Sequence, residues 1–79
     1  MSAFDDRLGR CFRATFPELG VDAVASASTD TLAAWDSLHT VILIAVVEEA
    51  FGVRIPARDY PAMRSYDAVA AYLRSARAG

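Results

Sequence analysis

A serine hydroxyl at residue 37 is the group in this chain best placed for chemistry. Ser37 stands in the run Trp35-Asp36-Ser37-Leu38, which opens an apolar stretch that ends at Phe51 and Gly52. The pattern predicts a loop that becomes a helix at the serine. Because the first backbone N–H groups of a helix are unpaired and the helix dipole favours an anion there, this position suits a phosphate-linked group.

Ser37 is not expected to act as an enzymatic nucleophile. Activation would need an adjacent base, and His39 is the only histidine of the chain. In a helix, residues two apart point in different directions, so His39 would lie away from the serine, and no third group completes a triad. The hydroxyl could instead receive a group from another enzyme. The alternative is that Ser37 only caps the helix.

The segment 37–51 is predicted to be a helix. Its β-branched run, residues 41–47, would also suit a buried strand. However, Asp36 or Ser37 can supply an N-cap, Gly52 can end the helix, and the segment is long for a strand. A helix that is apolar nearly all round cannot bury every side in so small a chain. Some of its side chains must therefore face outward.

An earlier helix is predicted from Ser2, whose hydroxyl can cap it, to Phe16, where Pro17 stops it. Its apolar face consists of Phe4, Leu8, Cys11, Phe12 and Phe16. Residues 17–36 have the composition of a loop, with one helical turn expected at 32–35. This loop is expected to pack against the bundle through Leu19, Val21, Val24, Leu32 and Trp35.

The last part of the chain predicts one short and one long helix. Pro56 and Pro61 leave room for a short turn at residues 57–60, and Tyr60 and Met63 are expected in the core. Ser65 caps a final helix, whose buried face would comprise Tyr66, Val69, Ala70 and Leu73, with Arg74 and Arg77 near its negative end. The prediction is an all-α, small four-helix bundle of three main helices and one short helix, with a long first loop, in a single domain spanning residues 1–79.

Composition excludes several classes of function. A chain of 79 residues forms one modest core, in which a deep enzyme active site is hard to build. A net charge of −2 offers no basic excess for nucleic acid. The lone Cys11 precludes an intrachain disulfide and is expected to be buried, and no Cys/His cluster has metal-ligand spacing. There is no signal-peptide pattern, and the longest apolar run is too short for a bilayer, so we expect a cytoplasmic protein.

These features together resemble the acyl and peptidyl carrier protein family. Nearly the whole chain is similar to the family's layout of helix, long loop, attachment serine, second helix, short third helix and final helix. Asp36-Ser37-Leu38 matches the attachment motif, and Gly52-Val53-Arg54-Ile55-Pro56 resembles the link into the short helix. The resemblance implies a carrier rather than an enzyme. A phosphopantetheinyl transferase would attach 4′-phosphopantetheine from coenzyme A to Ser37, and the arm's thiol would hold cargo as a thioester.

The resemblance also assigns the two faces of the second helix. Core positions would be Leu43, Ile44, Val47 and Phe51. Trp35 is expected to pack the loop onto the bundle, and the alternative is that it touches the cargo. Glu48 and Glu49 match the family's acidic pair. The expected docking residues are Asp36, Leu38, His39, Val41, Ile42, Ala45, Glu48 and Glu49. The expected partners are an acyl- or aminoacyl-loading enzyme and a ketosynthase, condensation or other tailoring enzyme, with the carrier itself a monomer.

Two positions depart from the family's fatty-acid carriers. His39 and Ile42 stand where those carriers often have acids, so the second helix is less acidic. Electrostatics mainly sets encounter rate and partner choice. We therefore hypothesise that the chain avoids a primary fatty-acid synthase and docks dedicated partners through an apolar face. Alternatively, Ile42 packs against the loop. His39 lies either simply at the surface or in contact with the arm's phosphate or the modifying enzyme.

The preferred interpretation is an acyl carrier in secondary-metabolite biosynthesis, such as a polyketide pathway. An aminoacyl or peptidyl carrier of a nonribosomal peptide pathway is the alternative within the family. From another class, a helical interaction module would bind a partner helix through its exposed apolar face, with Ser37 only a cap. The start at Met1 and the full set of helices favour a free-standing protein over a domain of a synthase.

Overall fold

The computed structural model describes residues 3–78, which fold into five helices without a strand. Three are α-helices: α1 spans Ala3–Thr15, α2 spans Ser37–Phe51 and α3 spans Tyr66–Ala78. Two are 3₁₀ helices, Val21–Ser26 and Ala57–Ala62, here called the first and second short helices. The all-α prediction is confirmed. The predicted cap at Ser2 and the side chain of Arg77 lie outside what is described.

α1 buries the predicted apolar face against α2. Leu8 and Phe12 are fully enclosed, and Cys11 is 3% exposed, so its expected burial is confirmed. The helix ends at Thr15, one residue earlier than predicted, although the Phe16 N–H still donates to the Phe12 carbonyl at 2.7 Å. The proline at residue 17 prevents any further turn of α-helix.

The long first connection contains the first short helix, which the loop prediction missed. Val24 is buried there, and the side chains of Leu19 and Trp35 are also enclosed, as expected. The expected burial of Val21 is wrong, because this side chain is 66% exposed. Val21 begins the short helix and lines a cavity of about 620 Å³ between this helix, α1 and α3.

α2 has the bounds that the sequence predicts. Leu43, Ile44 and Val47 are buried, as expected from their core positions. Gly52 ends the helix with φ 65° and ψ 36°, and its N–H donates to the Glu48 carbonyl. This is the left-handed conformation in which glycine is favoured. The prediction for Phe51 is only partly correct, because its ring is half-buried at the edge of the core.

α3 and the second short helix close the bundle. The second short helix extends to Ala62, two residues beyond the predicted turn, and the capping role of Ser65 is confirmed, since its hydroxyl accepts from the Ala68 N–H at 3.0 Å. The predicted inner face of α3 is buried. So is Met63, whereas Tyr60, expected in the core, is only partly buried.

A short antiparallel bridge ties the first connection to the residues ahead of α3. The Tyr66 N–H donates to the Ala27 carbonyl at 2.9 Å, and the Thr29 N–H donates to the Arg64 carbonyl at 2.9 Å. The first bond holds the start of α3, and the second joins backbone outside the helices. They hold residues 29 and 64 together on the side of the bundle where α2 begins.

Candidate functional site

The backbone around Ser37 is fixed by the two residues that precede it, Trp35 and Asp36. Asp36 has an extended conformation, and its Oδ1 atom accepts from the His39 N–H at 2.9 Å. Its carbonyl accepts both the N–H and the hydroxyl of Thr40, at 2.9 and 3.0 Å. Asp36 is therefore the N-cap residue, which decides between the two predicted caps.

Trp35 anchors this turn to the core. Its ring is 4% exposed and lies against Phe12 and Phe16, with centroid separations of 5.5 Å in both cases. The indole Nε1–H donates to the Thr40 hydroxyl at 2.8 Å, so the buried ring has a partner for its polar edge. The prediction that Trp35 packs the loop onto the bundle is confirmed. Sequence reasoning did not identify the role of Thr40.

Ser37 is the first residue of α2 and is exposed. Its hydroxyl makes no hydrogen bond with any residue in the range 3–78. The idea that Ser37 serves as the cap is wrong, because the carboxylate of Asp36 has that role. The structure thus leaves an accessible hydroxyl, held on a fixed turn, at the positive end of a helix.

His39 lies two residues beyond the serine and is held from two sides. Its Nδ1 atom is 2.8 Å from Asp36 Oδ1, and its ring stacks on Phe16 with centroids 5.7 Å apart. Because an ionised carboxylate only accepts, Nδ1 carries the proton in this contact. The hydrogen bond from the His39 backbone, followed by the one from its ring, lowers the pKa of Asp36 below its ordinary value.

A groove of about 350 Å³ opens beside Ser37, between the start of α2 and the second short helix. Its lining includes Ser37, Thr29, Val41, Tyr60, Met63 and Arg64. The groove's surface is largely apolar. Arg64 is exposed and precedes Ser65, which forms the antiparallel bridge with Ser28. The sequence did not predict a role for Arg64, because Arg64 and Ser37 line the same groove through contacts between segments far apart in the chain.

The outer face of α2 carries the apolar residues that the sequence assigned to docking. Leu38, Val41 and Ile42 are 64%, 48% and 40% exposed, and Ala45 is also exposed. Ile42 is exposed and not enclosed, and its proposed packing against the loop stays untested. The expectation that some apolar side chains of this helix face outward is confirmed. Their role in docking stays a prediction.

The two glutamates near the end of α2 have different surroundings. Glu49 is exposed. Glu48 is partly buried, and its Oε2 atom accepts from the Ile55 N–H at 2.8 Å, which joins α2 to the connection that follows. Glu48 thus has a structural role that no sequence pattern indicates. Its carboxylate has one oxygen already engaged before any partner arrives.

The other reactive groups give no competing centre in the part of the chain that the structure describes. Cys11 is buried, and burial raises the pKa of its thiol, which disfavours the thiolate form. No group of three or more histidine, cysteine, aspartate or glutamate side chains among residues 3–78 could hold a metal ion. None of the described helices is both long and apolar enough to cross a membrane.

Comparison with known proteins adds nothing to this geometry. No family model, no curated protein and no solved structure matches the chain.

Proposed function

We propose that this chain is an acyl carrier protein that works in a secondary-metabolite pathway, such as polyketide biosynthesis. Ser37 would carry a 4′-phosphopantetheine arm, and the protein would be the substrate and shuttle of other enzymes. The observation that carries the proposal is that Asp36, and not Ser37, caps α2. The exposed Ser37 hydroxyl forms no hydrogen bond with any group among residues 3–78.

The residues around Ser37 fit such an arm. The hydroxyl is exposed, and the phosphate attached to it would lie in the favourable field of the helix N-terminus. The adjacent groove offers an apolar floor, formed in part by Val41 and Met63, along which a flexible arm could lie. The arm supplies a terminal thiol, which holds an acyl group as a thioester and delivers it to partner sites at high effective concentration.

The contribution of this chain to its own modification is the Ser37 oxygen. The Ser37 oxygen would form a bond to the phosphopantetheine phosphorus, and adenosine 3′,5′-bisphosphate would leave from coenzyme A. The hydroxyl proton passes to a base of the transferase, since His39 is bound to Asp36 and stacked on Phe16. The hydrogen bonds of Trp35 and Asp36 hold the backbone that carries the Ser37 oxygen.

The apolar face of α2 is the proposed docking surface. Its exposed residues Leu38, Val41, Ile42 and Ala45 follow directly after the attachment point, so an enzyme that receives the arm would contact them. These four residues are uncharged, and the exposed acids Asp36 and Glu49 come before and after them in the chain. An encounter with a dedicated partner would therefore depend on burial of apolar surface more than on charge. Binding to a generic fatty-acid ketosynthase as tight as that of an acidic carrier would contradict this.

The cargo separates two versions of the proposal. An aminoacyl or peptidyl carrier of a nonribosomal peptide pathway would use the same serine, arm and helix, and a cytoplasmic location suits both. The low acidity of α2 argues against a fatty-acid carrier. It does not separate a secondary-metabolite acyl carrier from an aminoacyl or peptidyl carrier. Loading assays with acyl and aminoacyl donors would choose between them.

Thiol titration of the folded protein tests the proposal. The chain's one cysteine, Cys11, is buried, so the unmodified protein should present no rapidly reacting thiol. After incubation with coenzyme A and a broad-specificity phosphopantetheinyl transferase, we expect one reactive thiol per chain. Ser37→Ala should stay at none, and Ser65→Ala, at the helix-start serine whose hydroxyl is engaged, should gain one. Absence of a new thiol with several transferases would contradict the proposal.

A further inference from the structure

The groove beside Ser37 is electrostatically one-sided. Among its lining residues, Arg64 alone carries a formal charge, and that charge is positive. Asp36, next to Ser37 in the chain, is not part of the lining, and its Oδ1 atom is already bound by the amide and ring of His39. An anion attached at Ser37 would thus meet one side chain of opposite charge across the groove.

The backbone that carries Arg64 is held in place. Its carbonyl accepts the Thr29 N–H at 2.9 Å, and its own N–H donates to the Ala62 carbonyl at 3.0 Å. Met63 before it is buried, and Ser65 after it caps α3. The base of the side chain is therefore fixed, while its guanidinium extends from an exposed residue.

The Arg64 guanidinium differs from those of two other arginines, which contact aromatic rings or an acid within residues 3–78. Arg7 lies over the Phe51 ring, and Arg74 lies over Phe4 and pairs with Asp5. Arg64 forms no hydrogen bond or ion pair through its side chain with any residue between 3 and 78. A charged side chain on a fixed backbone, without a partner among residues 3–78, therefore lines the same groove as the Ser37 hydroxyl.

We propose that Arg64 is the positioning residue for the phosphodiester carried on Ser37. This inference rests on the proposed function. The guanidinium presents a rigid fork of N–H donors that suits phosphate oxygens, and such charge-assisted hydrogen bonds are stronger than neutral ones. Contact with Arg64 would draw the phosphodiester to the groove side of Ser37, so that the arm leaves along the second short helix instead of freely into solvent.

The test compares the protein before and after modification by nuclear magnetic resonance. Native protein, Arg64→Gln and the control Arg58→Gln are each converted with coenzyme A and a transferase, and intact mass verifies the attached arm. Arg58 is an exposed arginine of the second short helix that does not line the groove. The Arg64 side-chain Nε–H signal is assigned by its loss in Arg64→Gln.

We expect the Arg64 Nε–H signal to shift on modification and the phosphorus signal to differ between native protein and Arg64→Gln. Both effects should shrink at high salt, which screens an exposed pair. Arg58→Gln should leave both as in the native protein. If the arm is attached but the Arg64 signal does not move, or if both variants shift the phosphorus signal equally, the inference fails while the carrier function stands. If no arm attaches, both fail.

Discussion

Asp36 and His39 form a double contact at the start of α2: one carboxylate oxygen of Asp36 accepts both the amide and the ring Nδ1 of His39, at 2.9 and 2.8 Å. The amide bond caps the helix, and the ring bond fixes the orientation of the imidazole against Phe16. The exposed serine lies between these two residues in the chain. Its geometry therefore depends on a charge that acid can remove.

The cap should weaken in acid. The pKa of Asp36 is lowered by its hydrogen bonds from His39, so the stability it contributes is present above its ordinary pKa of 3.8. That stability is lost as the pH falls through the lowered value of the folded state. We expect the denaturation midpoint of native protein to fall relative to Asp36→Asn, which keeps a neutral acceptor, as the pH drops below about 4. A difference between the two proteins that does not change with pH would refute this.

The hydrogen bond from Trp35 to Thr40 should stabilise the fold. Thr40→Val removes the acceptor of the buried indole N–H, and an unpaired buried donor costs about 1–3 kcal/mol. Thr40→Ser, which keeps the hydroxyl, should recover most of this. Chemical denaturation followed by the fluorescence of the single tryptophan measures both variants. Equal stabilities of the valine and serine variants would show that the hydroxyl is not needed.

Gly52 and Gly20 offer a matched pair of substitutions. A Cβ atom at either position meets nothing within 4 Å, but Gly52 has φ 65° and Gly20 has φ −73°. Gly52→Ala should therefore destabilise the protein by about 1–2 kcal/mol through backbone strain alone. Gly20→Ala should be neutral or stabilising by up to about 1 kcal/mol. Thermal unfolding of both variants checks this, and similar melting temperatures would contradict the assigned conformations.

Stability at high pH should depend on Tyr66. Its hydroxyl donates to Asp5 at 3.0 Å, and burial together with this bond raises the pKa of Tyr66 to about 12. Stabilisation by the protonated phenol is thus complete below its ordinary pKa of 10.0 and is lost as the pH rises through about 12. Tyr66→Phe should cost about 1 kcal/mol at neutral pH. The gap between the denaturation midpoints of the two proteins should close with rising pH, and a constant gap would be inconsistent with it.

The long elements could be predicted from sequence because each carries its own boundary signals. Asp36 and Gly52 delimit α2, and Pro17 and Ser65 mark the end of α1 and the start of α3. The first short helix has no comparable signal: a 3₁₀ segment of six residues lacks the repeated spacing of a longer helix. The composition of residues 17–36 therefore predicts a loop where the first short helix lies.

The details of the site depended on three-dimensional contacts. Asp36 and Ser37 are both good cap residues, and only the extended backbone of Asp36 decides between them. Arg64 lines the groove beside Ser37, and its backbone is held there by a hydrogen bond from Thr29, a residue far from it in the sequence. The bond between Glu48 and the Ile55 amide likewise crosses a connection whose path cannot be deduced from residue types.

The most direct test of the carrier function is the intact mass of the folded protein after incubation with coenzyme A and a broad-specificity phosphopantetheinyl transferase. We predict that the native chain gains one phosphopantetheine and that Ser37→Ala gains none. Ser65→Ala, at the serine that caps α3, provides a control with Ser37 in place and should gain the same mass as the native chain. A native chain that gains no mass with several transferases, or a Ser37→Ala variant that gains the same mass, would contradict the assignment.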